Sequence, residues 1–249
     1  MTSSDVWDES VSSTYDADEA AMFAPEVLGP AVDRLVALAE DGPVLELAIG
    51  TGRIALPLAR RGLAVSGVEL SEAMLGELRR KPGGRDLPVV QGDMATASVA
   101  GAGGFALVLL VFNTIANLRR QDEQVACFEN AARHLRPGGR FVIELGIPPL
   151  RRLPPGQVAV PFEIGEGHVG FDTIDTATQE SASHHYRRDP DGTVRYDVGR
   201  FRYLWPAECD LMARIAGLEL EHRWADWQGT PFTAESEQHV SVWRKPLAP

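Results

Sequence analysis

The run Val44-Leu45-Glu46-Leu47-Ala48-Ile49-Gly50-Thr51-Gly52-Arg53 constrains the fold more than any other stretch of this 249-residue chain. An apolar segment closes on an acid, a glycine turn follows, and a helical pattern begins at Ile54. Strand, glycine turn and helix in that order shape a nucleotide-sized hollow at the carboxyl edge of a parallel sheet. A second strand ending in a second acid, Val65-Ser66-Gly67-Val68-Glu69, repeats the theme.

From there strands and helices alternate, which argues for βαβ units and a parallel sheet. Strand one is Val44 to Leu47, and strand two is Ala64 to Glu69, followed by Ser71 as N-cap of a helix through Leu78. Strand three is Leu87 to Gln91. Strand four, Phe105 to Val111, is apolar without alternation, as expected when helices cover both faces. A helix through Val125, Phe128, Ala132 and Leu135 precedes strand five, Arg140 to Leu145. The pattern then changes. Residues 147–205 contain prolines, glycines and two strand-like runs around the turn Asp189-Pro190-Asp191-Gly192. Val194, Tyr196 and Val198 alternate on one parity and Phe201, Tyr203 and Trp205 on the other, so a β-bulge is expected at Gly199. A helix carrying Leu211, Met212 and Ile215 follows, then two last strands. This divides the chain into a polar segment 1–22, either loosely ordered or folded over the molecule as a lid, a nucleotide-binding core 23–146, a β insertion 147–205, and the rest of the core 206–249.

Composition removes several functions. Lysine and arginine total 24 against 35 acids, a net charge of -11, which disfavours nucleic acid as a partner. The longest apolar run, Phe105 to Phe112, is far short of the roughly 20 residues of a membrane helix. The acidic N-terminus has no apolar signal region, and Cys127 and Cys209 fit no metal or redox spacing. A cytoplasmic protein with reduced, packed thiols and no metal is expected.

Gly50-Thr51-Gly52-Arg53-Ile54-Ala55 formally matches the dinucleotide fingerprint G-x-G-x-x-G/A. Glu46, however, would repel a pyrophosphate, and no catalytic residues stand at a recognisable dehydrogenase spacing. An NAD(P)-dependent dehydrogenase is therefore the rival reading.

The segment Glu46-Leu47-Ala48-Ile49-Gly50-Thr51-Gly52 resembles motif I of the class I methyltransferases that use S-adenosylmethionine, E/D-x-G-x-G-x-G, with Ala48 in place of the first glycine. That replacement is expected to need a non-positive φ at Ala48. Glu69, the run Gly92-Asp93-Met94, and Leu135-Arg136-Pro137-Gly138-Gly139-Arg140 continue the resemblance, in order, over residues 44–145. It implies an α/β, Rossmann-like, seven-stranded sheet in the order 3-2-1-4-5-7-6, strand seven antiparallel, with an antiparallel β insertion after strand five. It further implies S-adenosylmethionine as cofactor, both ribose hydroxyls on Glu69, and the adenine on the Asp93 side chain and the Met94 backbone. Tyr15, in Ser12-Ser13-Thr14-Tyr15-Asp16, resembles the tyrosine that closes the cofactor pocket in many small-molecule methyltransferases. Glu46, Ala48, Gly50, Gly52, Leu70, Met74 and Asn113 complete the expected cofactor set, the two glycines by letting backbone approach the methionine part.

The physics agrees. The cofactor has no phosphate to repel, and a carboxylate accepts two hydroxyls as a bidentate pair. Methyl transfer needs mainly alignment and exclusion of water, and a base is optional. The candidate bases are His184 and His185, which a strand points to opposite sides, with His168 nearby. The layout is similar to N-methyltransferases of amino sugars and of glycine. It implies methyl transfer to nitrogen or oxygen of a small metabolite, with the insertion as substrate lid or homodimer contact. A non-catalytic protein that binds the same cofactor is the second rival.

Overall fold

A computed structural model describes residues 7–247. Two helices, α1 (Glu9–Asp18) and α2 (Pro25–Ala39), lead into β1 (Val44–Leu47), α3 (Ala55–Arg60), β2 (Val65–Glu69), α4 (Glu72–Arg80), β3 (Val89–Gln91) and β4 (Phe105–Leu110). Then come α5 (Gln121–His134), β5 (Leu135–Gly146), β6 (Ala159–Ile164), β7 (His168–Ile174), β8 (Glu180–Arg188) and β9 (Val194–Arg202). The chain ends with α6 (Pro206–Ile215), β10 (Glu219–Trp224) and β11 (Gln238–Arg244).

Seven strands form one sheet in the order β10-β11-β5-β4-β1-β2-β3, in which only β11 runs antiparallel to its neighbours. In core numbering this is 3-2-1-4-5-7-6, as the resemblance implies. Every residue of β1 and β4 is buried, and strand alternation sends their side chains to two separate cores. Leu107 and Leu109 join the helices α2, α3 and α4, while Val108 and Leu110 join α5 and α6. Phe128, Phe141 and Trp243 anchor the second core, with Phe128 edge-on to both partners at 5.2 and 5.4 Å. Cys127 and Cys209 are free and buried, and burial pushes both thiols up. No described helix is long and apolar enough to cross a membrane.

The insertion is a second sheet, β6-β7-β8-β9, with twice the strands that two apolar runs suggested. Strands β6 and β7 escape a periodicity reading because Glu163 and Asp172 interrupt them. The bulge expected at Gly199 is absent: β8 and β9 pair in unbroken register, with Ser183 opposite Gly199. The parity change has another cause. The ring of Phe201 lies over Gly199, so close that a Cβ there would fall 2.8 Å from it. One end of β9 thus uses one face of the sheet and the other end the opposite face.

Helix α6 also turns differently from its apolar pattern. Cys209, Met212 and Ala213 form its buried stripe, whereas Leu211 and Ile215 are 59% and 62% exposed. Polar contacts set this rotation. Glu208 pairs with the buried Arg202 at 2.8 Å, and Asp210 pairs with Arg223 at 2.6 Å.

Candidate active site

The carboxyl ends of β1, β2 and β4 open onto a cavity of about 300 Å³. Glu46 and Glu69 stand on adjacent strands, where Glu46 is in register with Gly67. The turn after β1 is tied at both flanks. Ile49 donates its N–H to the Val68 carbonyl at 2.9 Å, and Gly50 donates to Glu69 Oε2 at 2.8 Å. Glu69 Oε1 accepts the Ser71 N–H at 2.8 Å, so one carboxylate braces the turn and the start of α4. Burial raises the Glu69 carboxyl, against the lowering effect of these N–H bonds. Each oxygen keeps a further lone-pair direction for a hydroxyl.

Ala48 corrects the expectation of a non-positive φ: its φ is 54°. The ties of Ile49 and Gly50 just after it hold a left-handed turn, and the missing glycine means that a methyl group bears the strain. Gly52 also departs from its expected role, since it does not line the cavity. A Cβ there would stand 2.5 Å from Leu78 Cδ1, so this glycine serves the close packing of the turn against the helices.

The other expected cofactor residues, Tyr15, Glu46, Ala48, Gly50, Glu69, Leu70, Met74, Asp93, Met94 and Asn113, all line the cavity. Asp93 Oδ1 accepts the Ala95 N–H at 2.8 Å, which shapes the turn after β3. Asn113 Oδ1 accepts the Gly146 N–H at 2.5 Å, so its side chain joins the ends of β4 and β5. Tyr15 arrives on α1, which is latched down by Asp16: its carboxylate accepts from Thr51 Oγ1 at 2.6 Å and pairs with Lys81. The segment expected to be loose or to fold over the molecule is thus, from residue 7, a structured wall of the cavity. Burial pushes the Tyr15 hydroxyl up to about 12.

Sequence reasoning missed Trp7, Arg53, Phe112 and Phe201, which also line the cavity. Trp7 packs edge-on against Tyr15 at 5.4 Å, and the Arg53 guanidinium lies 5.1 Å from the Phe112 ring centre. Arg53 adjoins motif I in the sequence, but nothing local distinguishes it from a helix-start cation. His184 and His185 are not brought to the site. The His184 ring stacks on Phe171 at 4.8 Å with Nδ1 2.7 Å from the Tyr196 hydroxyl. His185 Nδ1 lies 3.0 Å from His168 Nε2. None of the three lines the cavity.

The cavity suits a cationic amino-acid nucleoside. Glu46 is fully buried, with Oε2 left without a hydrogen-bond partner, and burial pushes its carboxyl up to about 8. That orphaned oxygen suits an ammonium, Arg53 a carboxylate, Glu69 a ribose, and the apolar wall of Leu70, Met74 and Met94 an adenine. Among the described residues no cluster of His, Cys, Asp or Glu is arranged to hold a metal. Beyond Phe201, which lines both, a second cleft of about 1120 Å³ runs between the loop at Arg119 and the inner end of the β insertion.

Fold and site together define a nucleoside-cofactor enzyme of the Rossmann-like α/β class. Comparison with known proteins carries this further. Residues 44–139 match the family described as Methyltransferase domain. The solved CcbJ methyltransferase from Streptomyces caelestis is 37% identical, with 96% of this chain and all of that one covered and a TM-score of 0.81. The cypemycin N-terminal methyltransferase of Streptomyces sp is 28% identical over 97% of this chain and 98% of its own. The dTDP-3-amino-3,4,6-trideoxy-alpha-D-glucopyranose N,N-dimethyltransferase of Streptomyces venezuelae is 27% identical over 74% of this chain and 78% of its own. The chain belongs to the class I methyltransferases, and S-adenosylmethionine is its cofactor.

Proposed function

We propose that this methyltransferase acts on a nitrogen of a small metabolite seated in the cleft beyond Phe201. The observation that carries the choice of nitrogen is the protonation chemistry of the cavity wall. Tyr15, pushed up to about 12, keeps its proton at neutral pH. Glu46, at about 8, holds a proton until a cation lies beside it. Glu69 and Asp93 accept backbone N–H groups. No histidine, cysteine or lysine is among the described lining residues. A hydroxyl acceptor usually wants a base, whereas an amine that has lost its proton to solvent attacks unaided.

When bound, S-adenosylmethionine supplies a methyl carbon activated by a sulfonium and a neutral leaving group. This chain's residues then have to align the acceptor and keep water out. Phe201, which lines both cavities, and Phe112 and Asn113, which line the first, are suited to both tasks. The relatives support the same reading, since one is named an N,N-dimethyltransferase of an amino sugar and another an N-terminal methyltransferase.

The test is incubation with S-adenosylmethionine and matched small amines and alcohols that share a carbon skeleton, with products read by mass spectrometry. N-methyl products are expected. Methyl ethers alone, or turnover of neither series, would overturn the proposal.

A further inference from the structure

Phe201 is the one described residue that lines both the cofactor cavity and the cleft beyond it. What holds that ring at the junction is the residue after it. Arg202 ends β9, and its side chain is buried, unlike those of Arg187 and Arg195 further out on the insertion. The guanidinium reaches three separate segments. Nη1 donates to Gln124 Oε1 on α5 at 2.5 Å. Nη2 donates to Gln179 Oε1, just before β8, at 3.0 Å, and to Glu208 Oε1 on α6 at 2.8 Å.

The partners are tied in turn. Gln124, fully buried, donates back to the Arg202 carbonyl at 3.0 Å. Gln179 donates to the Tyr203 carbonyl at 2.9 Å and to Glu208 Oε2 at 2.7 Å, and is itself held at a φ of 63°. Glu208 also accepts from Gln121 at 2.7 Å. Among the described residues, no buried side-chain nitrogen or oxygen of this group lacks a partner. The main chain on the far side of Phe201 is therefore gripped by α5 and by the turn into β8. Stability alone does not account for such a node, because a buried ion pair offsets its desolvation poorly compared with apolar side chains of similar volume. What it adds is direction, since a planar guanidinium meets its acceptors at fixed angles.

We propose that Arg202 is a positioning residue for the methyl acceptor: it fixes the end of β9 against α5 and α6 and so sets the Phe201 ring against which the acceptor aligns. The inference rests on the acceptor being seated beyond Phe201, and not on the acceptor atom being nitrogen. Alignment within a fraction of an ångström governs an in-line displacement, so a ring that drifts lowers the rate of the chemical step. The cofactor is held elsewhere. Glu69, assigned to its ribose, ends β2, which lies on the opposite flank of β1 from β4 and β5. Loss of the node should therefore spare cofactor affinity.

A double-mutant cycle on the full chain tests it, run with whichever of the matched amines and alcohols the wild type methylates. Phe201→Leu should lower kcat about tenfold. Arg202→Lys keeps a charge beside Glu208 but cannot serve three acceptors in one plane, and should lower kcat by about the same factor. Its affinity for S-adenosylhomocysteine, read by calorimetry, should stay within about threefold of wild type. Two changes that act through one ring do not add, so the double variant should lie within about threefold of either single variant. Should Arg202→Lys fail to fold, Gln179→Ala, which leaves the buried ion pair in place, takes its position in the cycle. Wild-type kcat in Arg202→Lys, or a double variant slower than both singles by about tenfold, overturns the positioning role. Wild-type kcat in Phe201→Leu removes the acceptor seat itself, and the proposal with it. If neither series turns over, hydrogen exchange of the protein loaded with S-adenosylhomocysteine decides. Residues 199–203 should exchange about tenfold faster in Arg202→Lys with residues 67–71 unchanged, and equal exchange at 199–203 overturns the proposal.

Discussion

Glu144 on β5 accepts the backbone N–H of Phe112 at 3.0 Å and so fixes a turn that no strand or helix holds. Trp227 Nε1 donates to the other carboxylate oxygen at 2.6 Å, and Asn113 donates its N–H to the Glu144 carbonyl at 3.1 Å. Phe112 and Asn113 both have positive φ, 59° and 58°. Two such residues in succession cost roughly 1–3 kcal/mol each, and the Glu144 contacts offset that cost. Glu144→Ala should lower stability by about 1–3 kcal/mol and kcat/KM by at least tenfold, because Phe112 and Asn113 line the cavity. Thermal unfolding and steady-state kinetics measure both, and wild-type kinetics in this variant would sink the role.

Glu69 has two tasks, bracing the turn and presenting a carboxylate to the ribose. Glu69→Gln keeps the size of the side chain but turns one acceptor into a donor facing a donor. Cofactor affinity should fall on the order of a hundredfold, about 3 kcal/mol, in a calorimetric titration. Unchanged affinity would refute the ribose assignment.

For Glu46 the sign of the pH effect follows from its raised pKa. The folded chain keeps a proton that the unfolded chain releases above about 4.5, until the pH reaches about 8. Its contribution is therefore fully present below about 4.5 and is lost as pH rises through about 8. Without cofactor, stability should fall over that window by a few kcal/mol, on the order of 1.4 kcal/mol per pH unit. Glu46→Gln should flatten the slope in urea titrations at several pH values. Binding of the ammonium at pH 7 should also release a proton, visible by calorimetry in buffers of different ionisation enthalpy and absent in Glu46→Gln. An equal slope in both proteins argues against the assignment.

Ala48 and Gly52 give opposite predictions within one turn. At φ 54°, Ala48→Gly relieves strain and should stabilise the protein by about 1 kcal/mol. At φ 84°, Gly52→Ala adds strain and a clash with Leu78, and should destabilise it by about 1–3 kcal/mol. The midpoints of urea unfolding should move in opposite directions, and a shift of both the same way contradicts the geometry.

His184→Ala and His185→Ala should each leave kcat within about twofold, since neither ring lines the cavity. A collapse of kcat in a variant whose folding is intact would return these residues to the chemistry.

The cofactor half was legible because its chemistry sits on consecutive residues. Glu46, Glu69 and Asp93 stand at or just beyond strand ends, and strand ends can be read from apolar runs and glycines. What escaped depends on distance in sequence. Phe201 reaches the cavity across 90 residues from Val111, and no local pattern distinguishes it from Tyr203 or Trp205. The apolar spacing of Leu211, Met212 and Ile215 marks a helix but says nothing about where Arg202 and Arg223 will hold it. Ala48 misled for a different reason: the φ it adopts is set by hydrogen bonds from its neighbours, and its own side chain disfavours that φ.

Helix α1 supplies Tyr15 and also carries Asp16, the residue that clamps it to Thr51 and Lys81. The wall of the cavity and the clamp that seats it are thus neighbouring residues of one helix, so a change at Asp16 should reach the cofactor through Tyr15.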